Sequence, residues 1–403
     1  MTALLPVAEA LERVLAHAEP LGREEVALAD AYGRVLATPL QALRTQPPAD
    51  VSAMDGYAVR ADDVAAAPVR LKIIGEVAAG RPFAAAVGAG EAAHIFTGGV
   101  VPAGADTVVI QEWTHRAGDD VEIQKPSAVG RNIRRAGLDF RVGQELMQRG
   151  RKLDAPDLAL AASMNHPRLP VFRRPKIALF ATGDELVPPG TEPGPGQIVY
   201  SNGFAIAAFA RSEGAEVFDL GVVPDKLEAT IAAVRRARDS KADILVTTGG
   251  ASVGDYDLVQ KAFTAEGMAL SFWKIAMRPG RPLMHGRLGP MHVLGLPGNP
   301  VSSYVCAFLF LAPLIRRMTG QTQIATPVES AVLGNDLPEN DERADYLRAT
   351  LAPGPAGPVA SILPNQDSSL LRPLAKADCL VIRAPYAPPA KAGEVCAIVK
   401  FER

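Results

Sequence analysis

A chain of 403 residues with 48% hydrophobic and 21% charged side chains is too long for one ordinary core and reads as roughly two to four globular domains. Its formal net charge of −2 excludes a global basic field for nucleic acid, so an anionic ligand must be met by local arginine and lysine. The three cysteines, Cys306, Cys379 and Cys396, have no paired spacing and read as reduced thiols, and the six histidines show no metal-ligand spacing.

The first residues, Met1 to Val14, hold acids and no sustained apolar run, which excludes a secretory signal. Val7, Leu11, Val14 and Leu15 have helical spacing within residues 7 to 19, and residues 24 to 43 carry a second helix or a short strand pair. Residues 1–44 are therefore expected to form an N-terminal helical part. From 45 to 140 the texture changes to short β-branched runs (Val69–Ile74, Thr107–Ile110, Val121–Ile123) between Gly, Pro and Asp turns, an all-β module. Helical spacing returns over 153–166, so 141–175 would complete the N-terminal part.

Strands and helices then alternate from 176 to 320. Strands are expected at Lys176–Ala181, Glu216–Leu220, Asp243–Thr247, Leu270–Ile275 and Met291–Leu294. Helices are expected at Ser201–Ser212, Asp225–Asp239, Tyr256–Glu266 and Val301–Met318. Alternation at this spacing implies a multidomain α/β chain containing a doubly wound, mostly parallel sheet, with ligands at the carboxyl ends of its strands. Val301–Ile315 is too short to span a bilayer and contains Pro313, so it reads as a buried helix and the chain as cytoplasmic. Turns and short strands over 321–403 suggest a C-terminal β-barrel.

The loops after the parallel strands carry the chemistry. Thr182-Gly183-Asp184-Glu185, Pro224-Asp225, the run Thr248 to Asp257 and Pro297 to Pro300 should share one rim. Gly249, Gly250, Ser252 and Gly254 would let backbone N–H groups approach an oxyanion, with Asp255 behind them for a divalent cation. Asp225 stands three residues before Glu228, a capping-box spacing compatible with a rim role. Lys274 at the end of an apolar strand needs a partner or a ligand, and Arg278-Pro279-Gly280-Arg281-Pro282 puts further cations on a stiff turn. Asn299 can cap a helix that Pro300 opens. In the all-β module, turn chemistry explains the glycines but not exposed Asp55, Thr97 and Asp139 near Arg131, Arg134 and Arg135. Gly88-Ala-Gly90 does not follow a strand and no Walker loop is present, which argues against dinucleotide-dependent dehydrogenases and P-loop NTPases.

Taken in order, Ser52–Ala58, Phe96–Val109, Gly130–Asp139, Thr182–Leu186, Thr248–Asp257, Lys274–Pro282 and Leu296–Ser303 resemble the molybdopterin molybdenumtransferase family, the molybdenum insertases that include the gephyrin-type E domain. The resemblance implies a homodimer of four parts, the α/β domain being similar to molybdopterin adenylyltransferase. It implies insertion of molybdenum from molybdate into adenylylated molybdopterin, with Mg²⁺ assisting and AMP released. A molybdopterin adenylyltransferase would act upstream, with no nucleic acid or membrane partner. Carried onto this chain, the acids are Asp55, Asp139, Glu185, Asp225 and Asp255, with Thr97 beside them, and Glu185, Asp225 and Asp255 would hold the metal and orient water. Lys274 and Arg278 match the cationic positions. Arg281, Pro297, Gly298, Asn299, Pro300, Arg348 and Ser369 would contact substrate. Two positions depart from the family: Arg281 replaces its usual lysine, which keeps the charge, and Leu138 replaces an acid. An adenylyltransferase that consumes ATP and a non-catalytic scaffold are the competing readings; product analysis separates the first and partner binding the second.

Overall fold

A computed structural model describes residues 4–249 and 258–401. Helix Val7–Leu15 does not build an independent helical part. Its apolar stripe, Ala10 and Val14 with Ala18 beyond, is buried in the same core as Leu311, Leu314 and Ile315 of the α/β domain. The next segment is strand rather than helix, and its partner lies far along the chain. Arg23–Ala27 pairs antiparallel with Arg168–Phe172, and Leu40–Gln41 with Glu145–Met147. Helix Ala155–Ser163, capped by Asp154 in a reciprocal box with Asp157, closes this small mixed module over Leu36, Phe140, Leu153 and Val171.

The all-β module is a six-stranded sheet ordered Thr107–Ile110, Gly56–Val59, Glu91–Ile95, Val69–Val77, Asp120–Ile123, Thr114–Ala117. Alternation along its strands feeds two cores. Tyr57, Val59, Ala92 and Val109 face one side, while Ala58, Ala93 and Val108 face the other.

In the α/β domain the elements are β1 (Lys176–Thr182), α1 (Asn202–Ser212), β2 (Glu216–Val223), α2 (Leu227–Asp239), β3 (Ile244–Thr248), α3 (Leu258–Ala265), β4 (Ala269–Phe272), β5 (Met277–Arg278), β6 (Met284–Leu288) and β7 (Met291–Leu296). The sheet runs β2-β1-β3-β7-β6-β4. Its first four strands are parallel, and β6 runs antiparallel between β7 and β4, so it alone opposes the common direction. Central strands are apolar on both faces because helices cover both. Ile177 and Leu179 pack with the Pro300–Met318 side, Ala178 and Phe180 with α2 and α3. The antiparallel β6 was not evident from sequence, where His285, Gly286 and Arg287 interrupt the apolar pattern. Pro300–Met318 forms one long helix, wound more widely over Ala307–Leu311 just before Pro313, where a missing N–H breaks the regular ladder. It is the one helix among the described residues long and apolar enough to cross a membrane, and 83% of that stretch is buried inside the protein.

The barrel strands are β8 (Glu329–Leu333), β9 (Ala344–Ala352), β10 (Val359–Ile362), β11 (Cys379–Arg383) and β12 (Val395–Lys400). They close in the order β9-β10-β8-β12-β11, with β11 returning to β9. The two-residue β5 leaves the α/β domain and pairs in parallel with Ala344 and Asp345 of β9. Tyr346, Leu380 and Val399 of the barrel share a core with Val305 and Phe308 of the long helix, so the barrel is packed onto the α/β domain.

Candidate active-site cleft

One cleft of about 860 Å³ opens at the carboxyl ends of the parallel strands and is lined from both the α/β domain and the barrel. Thr182 and Gly183, at the end of β1, lead to Glu185 in the cleft wall. β2 is the neighbour of β1 in the sheet, so the loop after it delivers Asp225 to the same wall. The two loops clasp each other: Asp225 N donates to Asp184 Oδ1 at 3.1 Å, and Asp184 N donates to Asp225 Oδ2 at 3.4 Å. Asp225 therefore does not cap α2, whose N-cap is Lys226 without a side-chain bond. Partial desolvation raises the Asp225 carboxyl above its ordinary pKa although it is open to solvent, and repulsion from Asp184 and Glu185 adds to this. Thr182 is buried beside them, and its hydroxyl has no hydrogen-bond partner among the described residues.

Gly249 follows β3 and forms the floor. Its φ of +88° is left-handed, and a Cβ there would lie 2.5 Å from the Thr182 carbonyl oxygen. Only glycine lets these two loops touch. Gly250, Ser252, Gly254 and Asp255, with the neighbouring Asp257, lie outside the described residues. Among the described residues no three His, Cys, Asp or Glu side chains gather into a metal-binding group. Glu185 and Asp225 supply two acids to the cleft.

Pro297, Gly298 and Asn299 lead into the helix that Pro300 opens, and Ser302 in its first turn also lines the cleft. Asn299 occupies the N-cap, but its side chain does not cap. Its Nδ2 donates to Ser368 Oγ of the barrel at 2.8 Å, while Val301 N donates to the Ser368 carbonyl at 3.0 Å. Asn202 Nδ2 donates to the Gly298 carbonyl at 2.6 Å and holds the loop from the other side.

The cationic turn forms the third wall. Arg278, Pro279, Gly280, Arg281 and Pro282 all line the cleft. Gly280 (φ +112°) sits against the helix, where a Cβ would be 2.5 Å from Cys306 Sγ. Arg281 is exposed and makes no ion pair among the described residues. Arg278, in contrast, is taken up by Asp345 and Asp341.

Several expected site residues lie elsewhere in the chain. Lys274 is neither in a strand nor among the residues lining the cleft. β4 ends at Phe272, and Lys274 is solvent-exposed with Nζ 5.9 Å from the Trp273 ring centroid, so it does not need the partner or ligand that a strand position implied. Arg348 is 1% exposed and spends its guanidinium on the carbonyls of Asn365, Asp367 and Leu370 and on Gln366 Oε1. It holds the loop whose Gln366 and Ser368 line the cleft. Ser369 bonds Asp367 Oδ1 through both its N–H and its hydroxyl, and Ser368 is the residue that reaches the cleft. Asp55, Thr97 and Asp139 lie in and beside the all-β module and do not line the cleft of their own chain. Asp55 is tied to Thr97, 42 residues further along the chain. Its Oδ1 accepts from Thr97 N at 2.7 Å and Thr97 Oγ1 at 2.8 Å, and these bonds hold its carboxyl below the usual range. Sequence reasoning missed Arg343, Gln366 and Ser368. All three come from the barrel and no local motif marks them.

Comparison with known proteins agrees with this arrangement over the whole chain. Residues 5–165 match the MoeA N-terminal region (domain I and II), 178–317 a probable molybdopterin binding domain, and 330–401 the MoeA C-terminal region (domain IV). A molybdopterin molybdenumtransferase of Haemophilus influenzae is 33% identical over 388 residues, 95% of each chain. One of Nostoc sp. is 38% identical over 337 residues, 81% of this chain and 77% of its own. The crystal structure of a molybdopterin biosynthesis MoeA protein from Pyrococcus horikoshii superposes with a TM-score of 0.84 at 32% identity over 100% of both chains.

Proposed function

Starting from the fact that this chain belongs to the molybdopterin molybdenumtransferase family, and is a transferase that inserts molybdenum in cofactor biosynthesis, we propose how its cleft divides the work. The oxyanion, molybdate, is taken on the cationic side. Arg281 provides an uncommitted guanidinium, and the positive end of the helix opening at Pro300 faces the same space. Glu185 and Asp225 would hold Mg²⁺ on the acidic side, with Asp255 of the glycine-rich motif, outside the described residues, as the third carboxylate. The donor set fits a hard divalent cation: desolvation first, and then repulsion from Asp184 and Glu185, raises the Asp225 pKa, and an added positive charge would relieve that repulsion. When bound, the ion neutralises charge on the pyrophosphate of adenylylated molybdopterin.

The chain's own residues do the positioning. Glu185, Asp225 and Arg281 line the same cleft, so the adenylylated end and the molybdenum-accepting end of one substrate can be held together in a single cavity. Hydrolysis of the pyrophosphate linkage then releases AMP as the loaded cofactor leaves. The observation that carries this reading is the meeting of the Glu185–Asp225 pair with the Arg278–Pro282 turn around one cavity. The competing adenylyltransferase reading is disfavoured because Ser368, Gln366 and Arg343 of the barrel are built into the same cavity.

The functional unit in this reading is a homodimer, which would let Asp55, Thr97 and Asp139, absent from the lining of their own chain's cleft, meet the cleft of a second copy. A molybdopterin adenylyltransferase supplies the adenylylated pterin upstream. The unit works in the cytoplasm, in keeping with three buried free thiols and a buried apolar helix.

The test mixes purified protein, adenylylated molybdopterin, Mg²⁺ and molybdate, and quantifies AMP and protein-bound molybdenum. AMP and bound molybdenum should rise together, and Asp225→Ala should abolish AMP release with an unchanged urea midpoint. AMP release that persists in Asp225→Ala removes the metal role of this wall.

A further inference from the structure

Arg278 reaches the edge of the cleft, yet its charge is committed to the barrel. By register it lies directly opposite Asp345, across the two-residue parallel pairing of β5 with β9. Nε donates to Asp345 Oδ1 at 2.8 Å and Nη2 to Oδ2 at 2.5 Å, a bidentate fork onto a carboxylate only 7% exposed. Nη1 reaches Asp341 at 3.3 Å and Nη2 the Asn340 amide oxygen at 3.4 Å. Asp341 is itself held by Arg343 Nη2 at 2.6 Å. Four contacts from residues 340–345 thus fix one guanidinium and cancel its charge.

Arg281, three residues on, has the opposite situation: exposed, in the cleft wall and without an ion pair among the described residues. Pro279 and Pro282 stiffen the turn between and beyond them, and Gly280 seats it on Cys306. A stiff turn clamped at one end places its other cation by geometry. The clamp is Asp345, a residue of the barrel that does not line the cleft.

We propose that Asp345 is a positioning residue for the oxyanion site, setting through Arg278 where the turn presents Arg281. The proposal rests on the reading of that turn as the molybdate-binding wall. Without Asp345 the Arg278 guanidinium has a neighbouring barrel cavity of about 440 Å³ to turn into, since Arg278 also lines that cavity, and the turn loses its anchor. Preorganisation is then lost and anion affinity falls.

The experiment uses full-length protein and molybdate alone, with equilibrium dialysis for binding, turnover at varied molybdate, and a urea midpoint for each variant. Asp345→Asn should weaken molybdate binding about tenfold, equivalent to about 1.4 kcal/mol, and raise KM for molybdate in step while kcat stays within about twofold. Asp345→Glu, which keeps the charge, should recover most of the affinity. A folded Asp345→Asn that binds molybdate unchanged or more tightly overturns the proposal, as does a fall confined to kcat. Arg281→Ala separates the two readings. If it too leaves molybdate binding intact, the turn is not the oxyanion wall at all. If it weakens binding while Asp345→Asn does not, only the positioning role fails. Should Asp345→Asn not fold, Arg278→Gln with Asp345→Asn leaves no lone buried charge and should show the same tenfold loss; unchanged affinity in that pair is equally fatal.

Discussion

Gly249→Ala probes how tightly the acidic wall is built, and the structure provides its own control. Gly249 has φ +88° and Gly267, beyond α3, has φ +83°, so alanine pays the same left-handed penalty at both, about 1–2 kcal/mol. Nothing lies within 4 Å of a Cβ at Gly267, whereas at Gly249 it would stand 2.5 Å from the Thr182 carbonyl oxygen. That contact is backbone, with no flexible side chain to move aside, so β3 and the end of β1 must separate by several tenths of an ångström. Overpacking of this kind adds about 1–3 kcal/mol. Gly249→Ala should therefore lose about 2–5 kcal/mol in urea unfolding, against about 1–2 for Gly267→Ala. The separation also shifts the loop that carries Glu185 toward Asp225. AMP release should fall by about tenfold or more in Gly249→Ala, given the cost of small misplacements, and stay near wild type in Gly267→Ala. Equal stability losses in the two variants, or full activity in Gly249→Ala, would refute the argument that backbone contact at this glycine shapes the site.

Two further outcomes test the packing around the cleft. The His285 and His292 rings stack in the buried heart of the sheet, and burial pushes their pKa values down to about 3 and about 4. Between pH 6.5 and about 4 the unfolded chain takes up protons that the folded chain refuses, so stability should fall with pH there by up to about 1.4 kcal/mol per unit for each histidine. Urea midpoints over that window should show a slope that His285→Gln with His292→Gln removes; an equal slope in the variant contradicts the assignment. Arg316 forms a bidentate pair with Glu213, both at 2.8 Å and both side chains 6% exposed, joining the end of α1 to the end of the long helix. Arg316→Met strands the Glu213 charge and should cost about 3–5 kcal/mol in urea unfolding, whereas a loss below about 1 kcal/mol would mean the carboxylate is readily rehydrated.

Much of the cleft was legible because parallel sheets impose a rule. Glu185 and Asp225 follow strands that are neighbours, and ligands collect at strand ends, so their meeting needed only the strand-helix alternation of residues 176–248. Thr107–Ile110 was readable to the residue from its β-branched run between turns. Lys274 misled because its neighbours suggest a buried strand, while β4 is an exposed edge strand that ends earlier. Arg23–Ala27 could not be matched in advance to Arg168–Phe172, since short strands carry little register information of their own.

Local order, then, belongs to the sequence itself: hydrophobic period, glycine and proline punctuation, and the acids and cations placed at loop positions. The tertiary structure alone decided which charges remain available. Arg278 and Arg281 look alike along the chain, but Asp345 arrives 67 residues later to neutralise the first and leaves the second in the cleft. Ser368 rather than Ser369 reaches the site because Arg348, buried and bonded to three carbonyls, sets the loop's path. Coulomb and hydrogen-bond energies depend on separations of a few ångströms, and for residues so far apart in the chain those separations exist only once the barrel has closed on the sheet.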